Sequence, residues 1–228
     1  MRSTLQSEKT QFQDRQQAGR LLAELLESYC HENPVVLAIP RGGVPVGYEI
    51  AKALDAPLDV IVARKLGAPG QPELGIGAIA PGGILILNGM SVRYRGIDAQ
   101  QIDRIMAKEQ REMQRRERLY RGDYPPVDVH GRTVIITDDG LATGVTARAA
   151  IQSVRQQDPA RIILAVPVCS PETPSEFHPI VDDIVCLKTP HALYAVGLWY
   201  RNFDQVTDRN VLTLMAAARP PQREAGKP

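Results

Sequence analysis

Two carboxylates, Asp138 and Asp139, stand side by side at the end of a run of β-branched residues, Thr133 to Thr137. A turn of small and hydroxylated residues follows, Gly140, Leu141, Ala142, Thr143, Gly144, Val145 and Thr146, and leads into a helical pattern. A buried strand that delivers charge at its carboxyl end, followed by a small-residue loop at a helix N-terminus, suits a phosphorylated ligand. Thr143, Gly144 and Thr146 can present backbone N–H groups and hydroxyls to a phosphate, and the helix dipole adds partial positive charge there. Gly140 and Gly144 let the backbone come close and adopt positive φ.

The two acids would repel that phosphate, so they must serve another part of the ligand. Carboxylates suit vicinal hydroxyls or a hydrated Mg²⁺. Phosphate on amides and a diol on two acids read together as a ribose-5-phosphate site. The turn carries neither the Gly-Lys-Ser/Thr of a Walker A loop nor the Gly-x-Gly-x-x-Gly of a dinucleotide fold.

Three further groups could join this chemistry. Ile39-Pro40-Arg41-Gly42-Gly43 again runs from a strand end through a Gly-rich turn into a helix, and Arg41 adds a fixed charge suited to a diphosphate. A plain strand–turn–helix connection reads the same way when taken alone. Ala63-Arg64-Lys65-Leu66-Gly67 places two cations at the same sheet edge, as a diphosphate neutraliser or as a solvated pair. Glu73 is the one carboxylate between Lys65 and Asp98; it has the chemistry of a general base, of an acceptor-amine contact or of a solvated loop residue. Near the C-terminus, Val196 to Phe203 gathers Trp199, Tyr200 and Phe203 around Arg201; flat rings suit a heterocycle, and they equally suit closure of a core.

The elements that must position these groups follow from periodicity. Helices are predicted over Phe12–His31, Val44–Leu54, Asp98–Tyr120 with Asp98 as N-cap, and Thr143–Gln157. Strands are predicted over Val35–Ile39, Leu58–Ala63, Thr133–Asp138, Arg161–Val168 and Ile184–Lys188, with a hairpin or meander over Gly75–Asn88. Ala68–Leu74, with Pro69, Gly70 and Pro72, reads as a flexible loop. The β-α-β alternation predicts an α/β fold, a parallel β-sheet flanked by helices on both faces, with a small cover segment. The expected organisation is one domain over residues 1–219, comprising the N-terminal helix at 12–31, a core at about 34–190 and a C-terminal cover at about 190–215. Residues 220–228, Pro-rich and charged, read as a disordered tail.

The chain has 228 residues, 43% hydrophobic and 23% charged, which is ordinary for a globule with a sizeable core. A net charge of +1 gives no global drive toward nucleic acid or an anionic membrane. No apolar run approaches the roughly 20 residues that span a bilayer, and the polar segment Met1–Asp14 lacks the apolar core of a secretory signal. Cys30, Cys169 and Cys186 show neither a disulfide framework nor a zinc pattern, and His31, His130, His178 and His191 form no metal-spaced pair. A reducing cytoplasm is the expected compartment. The basic residues Arg104, Lys108, Arg111, Arg115, Arg116, Arg118 and Arg121 alternate with Asp103, Glu109, Glu112 and Glu117, which argues for a solvated, salt-bridged helix rather than an RNA-binding face.

Residues 134–146 resemble the phosphoribosyl-diphosphate (PRPP) signature of type I phosphoribosyltransferases: a hydrophobic strand, two acids, variable residues, then Thr-Gly-x-Thr. The likeness of layout extends over about residues 35–203. It implies transfer of the 5-phosphoribosyl group of PRPP to a nitrogen acceptor, a nucleobase with purine favoured, with release of pyrophosphate. It implies that Thr143, Gly144, Val145 and Thr146 hold the 5-phosphate, that Asp138 and Asp139 hold the ribose hydroxyls, and that Arg41, Gly42, Gly43, Arg64 and Lys65 face the pyrophosphate. Mg²⁺ would be bound through PRPP and water, with Asp138 and Asp139 as its possible protein contacts. By the same resemblance, Lys65, Glu73 and Asp139 are the catalytic candidates, Trp199 stacks on the acceptor, and a non-proline cis peptide joins Arg41 to Gly42. Ala142 departs from hypoxanthine-type enzymes, which carry an acid there, and so leaves the base unassigned. A homodimer is the common assembly of such enzymes. The same domain also serves in regulators that sense PRPP or a nucleotide without chemistry, and that alternative stays open here.

Overall fold

The computed structural model describes residues 11–219; the predicted tail lies outside them. Helix α1 (Arg15–Leu26) is followed by a short 3₁₀ turn, strand β1 (Pro34–Ala38), helix α2 (Gly43–Ala53) and strand β2 (Leu58–Val60). Next come β3 (Arg64–Ala68), β4 (Gln71–Ala80), β5 (Ile84–Leu87), α3 (Gly89–Tyr94) and α4 (Ala99–Arg121). The chain then runs through β6 (Thr133–Thr137), α5 (Val145–Arg155), β7 (Arg161–Val168), α6 (Thr173–Phe177), β8 (Asp183–Lys188), a 3₁₀ turn at Val196–Trp199 and α7 (Asp208–Ala218).

Five strands form one parallel sheet in the order β2-β1-β6-β7-β8. Its central strands are apolar at nearly every position because both faces are covered. Alternation sorts them: Val36, Ala38, Ile135 and Ile163 join Leu22, Leu26, Val46 and Ile50 of α1 and α2 on one face. Val35, Leu37, Val134, Ile136, Ile162 and Leu164 join Ala147, Ala150, Ile151 and Val154 of α5 on the other. The register Ala38↔Thr137↔Ala165 brings the carboxyl ends of β1, β6 and β7 level, so the loops that follow them share one edge.

The structure differs from the sequence reading in the second segment. Strand β2 ends at Val60, and the chain crosses into a separate antiparallel sheet, β3-β4-β5. Gly75–Asn88 does contain the expected hairpin, turning through Pro81-Gly82-Gly83. Ala68–Leu74 is not an irregular loop: β3 and β4 pair across Pro69-Gly70, with register shifts on either side of Gly67. Leu66 and Ile76 are buried in the main core, which is what holds this hairpin to the body. On the long helix, Asp98 caps as predicted: its carboxylate accepts from Gln101 N–H at 2.7 Å, and Gln101 Oε1 accepts from Asp98 N–H at 3.0 Å.

Helix α4 is tied to β2 by Asp59, 4% exposed, whose carboxylate accepts from Arg121 Nε at 3.0 Å, from Val127 N–H at 3.1 Å and from its neighbour Val60 N–H at 2.7 Å. Asp59→Ala takes the acceptor from two backbone donors and leaves Arg121 with Glu117 at 3.6 Å and the Val60 carbonyl at 2.7 Å. The expected loss is about 2–4 kcal/mol, read as a drop in the midpoint of urea unfolding.

Candidate functional site

The edge shared by β1 and β6 brings two of the predicted segments into contact. A non-proline cis peptide is present, between Pro40 and Arg41, one residue before the expected position. Beyond it Gly42 lies directly against Asp139: a Cβ built on Gly42 would fall 2.0 Å from Asp139 Oδ2. Gly43 N–H donates to Ile39 O at 3.0 Å and opens α2. The first-strand loop and the paired acids are therefore one surface.

Asp138 and Asp139 are half-buried at the tip of β6, and Asp138 Oδ1 accepts from Asp139 N–H at 2.8 Å. Burial lifts both carboxyls above the usual range, Asp138 further because the Asp139 charge stands beside it. Arg15 pulls Asp139 back down: its Nε donates to Asp139 Oδ2 at 2.8 Å. The Tyr200 hydroxyl donates to the Asp139 carbonyl at 2.6 Å.

The turn after the acids is anchored on one side and open on the other. Leu141 is buried and its N–H donates to Val168 O at 2.8 Å, while Ala142 and Thr143 are exposed. Gly140 packs against Val168 and Val196. Gly144 takes φ 63° as the N-cap of α5 and contributes no side-chain cap, so the first N–H groups of α5, from Val145 and Thr146 onward, are left for an external acceptor. That is the geometry of an anion cradle.

A cavity of about 470 Å³ opens beside these groups, lined by Arg15, Arg41, Gly42, Arg64, Arg116, Asp139, Phe203, Gln205 and Val206. Three of its arginines have acidic partners that do not line it: Arg41 lies 3.6 Å from Asp208, Arg64 forks onto Glu109 at 2.6 and 2.9 Å, and Arg116 Nε donates to Glu112 at 2.7 Å. The hydrogen bond from Tyr120 keeps the Asp208 carboxyl below its ordinary range.

Lys65 and Glu73 are brought together on the β3–β4 hairpin, where Lys65 Nζ donates to the Glu73 carbonyl; neither lines the cavity. Trp199 packs against the Phe12–Tyr200 cluster, and its carbonyl accepts from Phe12 N–H at 2.8 Å. The aromatic at the cavity is Phe203, stacked on Tyr200 at 5.0 Å. Sequence reasoning missed Arg15 and Arg116 as site residues, and it offered Phe203 only as one ring of the Val196–Phe203 cluster, with closure of the core as the other reading. Arg116 carried a signal only as one of many helix charges, and Arg15 carried none.

Residues 9–197 match the model of the phosphoribosyl transferase domain. The chain belongs to this family. Two Mycobacterium tuberculosis proteins, from strains CDC 1551 / Oshkosh and H37Rv and provisionally named phosphoribosyl transferases, are 44% identical over 215 residues. That stretch is 94% of this chain and 48% of theirs, so the chain spans about half the length of these relatives. The crystal structure of TT1426 from Thermus thermophilus is similar with a TM-score of 0.76 at 40% identity, over 92% of this chain and all of that one. Within the phosphoribosyl transferase domain, the matched span contains Arg15, Arg41, Arg64, Arg116 and the paired acids; Tyr200, Phe203 and Asp208 lie past its end.

No described helix is long and apolar enough to cross a membrane. No group of three or more His, Cys, Asp or Glu among the described residues could by itself enclose a metal ion. The carboxylate oxygens of Asp138 and Asp139 are hard donors of the kind a hydrated Mg²⁺ accepts, so the residues present fit an ion held mainly by a phosphorylated ligand.

Proposed function

We propose that this chain transfers the 5-phosphoribosyl group of PRPP to a nitrogen acceptor, a nucleobase with purine favoured, and releases pyrophosphate. The observation that carries the reading is the convergence of Arg15, Arg41, Arg64 and Arg116 with Gly42 and Asp139 on one cavity. A leaving diphosphate needs concentrated, oriented positive charge, and forked guanidinium groups supply it. The 5-phosphate would rest on the N-terminus of α5, at Thr143, Gly144, Val145 and Thr146. Asp138 and Asp139 would take the ribose hydroxyls.

In the transfer, a nitrogen lone pair forms a bond to C1 of the ribose as the C1–O bond to the diphosphate breaks, and the electron pair leaves with the diphosphate. The ribose passes through an oxocarbenium-like state, which asks for positioning and charge stabilisation rather than covalent help. Mg²⁺, when bound with PRPP, would neutralise diphosphate charge. Arg41 and Arg64 would hold the leaving group, and the hairpin carrying Lys65 and Glu73 would close over it to exclude water, with Glu73 as the candidate acceptor of the nitrogen's proton. Trp199 and Phe203 are the aromatic candidates for the acceptor. Wild-type protein with PRPP and Mg²⁺ is to be tested for pyrophosphate release against a panel of nucleobases, beside an Asp138→Asn/Asp139→Asn control. Release with one base, lost in the control, supports the reading and names the acceptor. PRPP binding without release for any base removes nucleobase transfer.

A further inference from the structure

Arg15 differs from the other three arginines of the cavity. Arg41, Arg64 and Arg116 pair with Asp208, Glu109 and Glu112, all outside the acidic motif. Arg15 pairs with Asp139, a carboxylate of the motif itself and 124 positions away in sequence. Its guanidinium is fixed from three sides. Nε holds Asp139 Oδ2 at 2.8 Å, Nη1 donates to the Asp204 carbonyl at 2.9 Å, and the plane lies 3.8 Å over the Phe203 ring. The Arg15 side chain is 11% exposed.

The backbone that carries it is fixed too. Phe12 N–H donates to Trp199 O, and Arg201 N–H donates to Phe12 O, both at 2.8 Å, so the segment entering α1 is stitched to the cover segment. Asp14 caps α1 by accepting from Gln17 N–H at 2.8 Å, which sets the first helical residue, Arg15, at the mouth of the site. A long side chain immobilised in advance loses little further entropy when a ligand arrives. Among the described residues Nη2 has no acceptor, and Arg15 lines the cavity that Arg41, Arg64 and Arg116 also line.

We propose that Arg15 is a positioning residue for the transfer: Nε orients Asp139 toward the ribose hydroxyls while Nη2 donates to the diphosphate, so one guanidinium sets ribose and leaving group in register. The inference rests on the functional reading above. It places a determinant for PRPP over ribose 5-phosphate on the N-terminal helix, outside the acidic motif.

The test uses the whole chain as wild type, Arg15→Gln and Arg15→Lys. Trp199, the only tryptophan, reports ligand binding by fluorescence. Arg15→Gln is expected to weaken PRPP binding by about 10–100-fold, as for loss of a charge-assisted pair, and to weaken ribose 5-phosphate binding several-fold less. Arg15→Lys restores the charge without the fork, so it recovers ribose 5-phosphate affinity but not the preference for PRPP. Equal losses for both ligands overturn the proposal and leave a merely structural ion pair. If Arg15→Gln does not fold, the Arg15→Lys comparison decides alone by the same preference. A wild-type protein that does not bind PRPP overturns the functional reading and this inference with it. Wild-type binding with unaltered variants overturns the inference only.

Discussion

Asp138→Asn is expected to slow the proposed transfer by orders of magnitude while making the protein more stable. The two effects have one cause. Asp138 sits half-buried with Asp139 beside it, and both circumstances raise its carboxyl well above the ordinary range. The unfolded chain ionises this group at about pH 3.9, so at neutral pH folding must bring a charge into a place that resists it. The sign follows directly. A carboxyl raised in the folded state subtracts stability above its folded value, and the penalty is relieved as pH falls through that value. Asn carries no charge and can still accept from Asp139 N–H, the bond that Asp138 Oδ1 accepts at 2.8 Å. A gain of about 1–2 kcal/mol at pH 7 is expected, and it is expected to shrink as the pH is lowered toward 4. For a chain of this size that is a rise of roughly 3–6 °C in the melting midpoint. Pyrophosphate release is expected to fall by about 10²–10³-fold, because an amide does not match a carboxylate as the acceptor for a ribose hydroxyl. A variant that melts at or below the wild-type midpoint at pH 7 would show that the acidic pair carries no such cost.

The same motif explains what was legible in the sequence. Asp138 to Thr146 is contiguous, and each part of its chemistry is a local property of strand end, turn or helix start. The parallel sheet was legible for a similar reason, since β1, β6 and β7 are short apolar runs with helical patterns between them. Long-range pairings were not. Arg15 and Asp139 meet only because Phe12 is sewn to Tyr200, and nothing in the neighbourhood of Arg15 signals that closure. Arg116 read as one charge of a solvated helix, and it does pair with Glu112 as that reading expects; its position at the cavity depends on how α4 lies across β2, β3 and α7. The β3–β4 hairpin was hidden because Pro69, Gly70 and Pro72 carry the composition of a loop, while burial of Leu66 and Ile76 decides the outcome. Helix α7 has a capping box, Thr207 with Asn210, whose second member departs from the usual Glu or Gln.

Gly144→Ala is expected to damage both fold and site, and Gly42→Ala the site alone. Gly144 has φ 63°, a conformation that costs an L-residue about 1–2 kcal/mol. Its Cβ would also fall 2.7 Å from the ring of Phe177, which is 1% exposed and stacked under the Arg148 guanidinium at 4.6 Å. A buried ring cannot turn aside cheaply, so strain and overpacking together are expected to cost about 2–4 kcal/mol. The relief available is movement of the α5 N-terminus, which carries the N–H groups assigned to the 5-phosphate. Gly42 has ordinary backbone angles, φ −61° and ψ −34°, and what its Cβ meets is the Asp139 carboxylate at 2.0 Å. That side chain must rotate away, which breaks its ion pair with Arg15 and leaves the core untouched. The melting midpoint is therefore expected to fall by roughly 5–15 °C for Gly144→Ala and by no more than about 2 °C for Gly42→Ala. PRPP affinity is expected to be lost in both. Retention of PRPP affinity by Gly42→Ala would mean that Asp139 is free to leave its observed position, and that contact between the first-strand loop and the acidic pair is not required for binding.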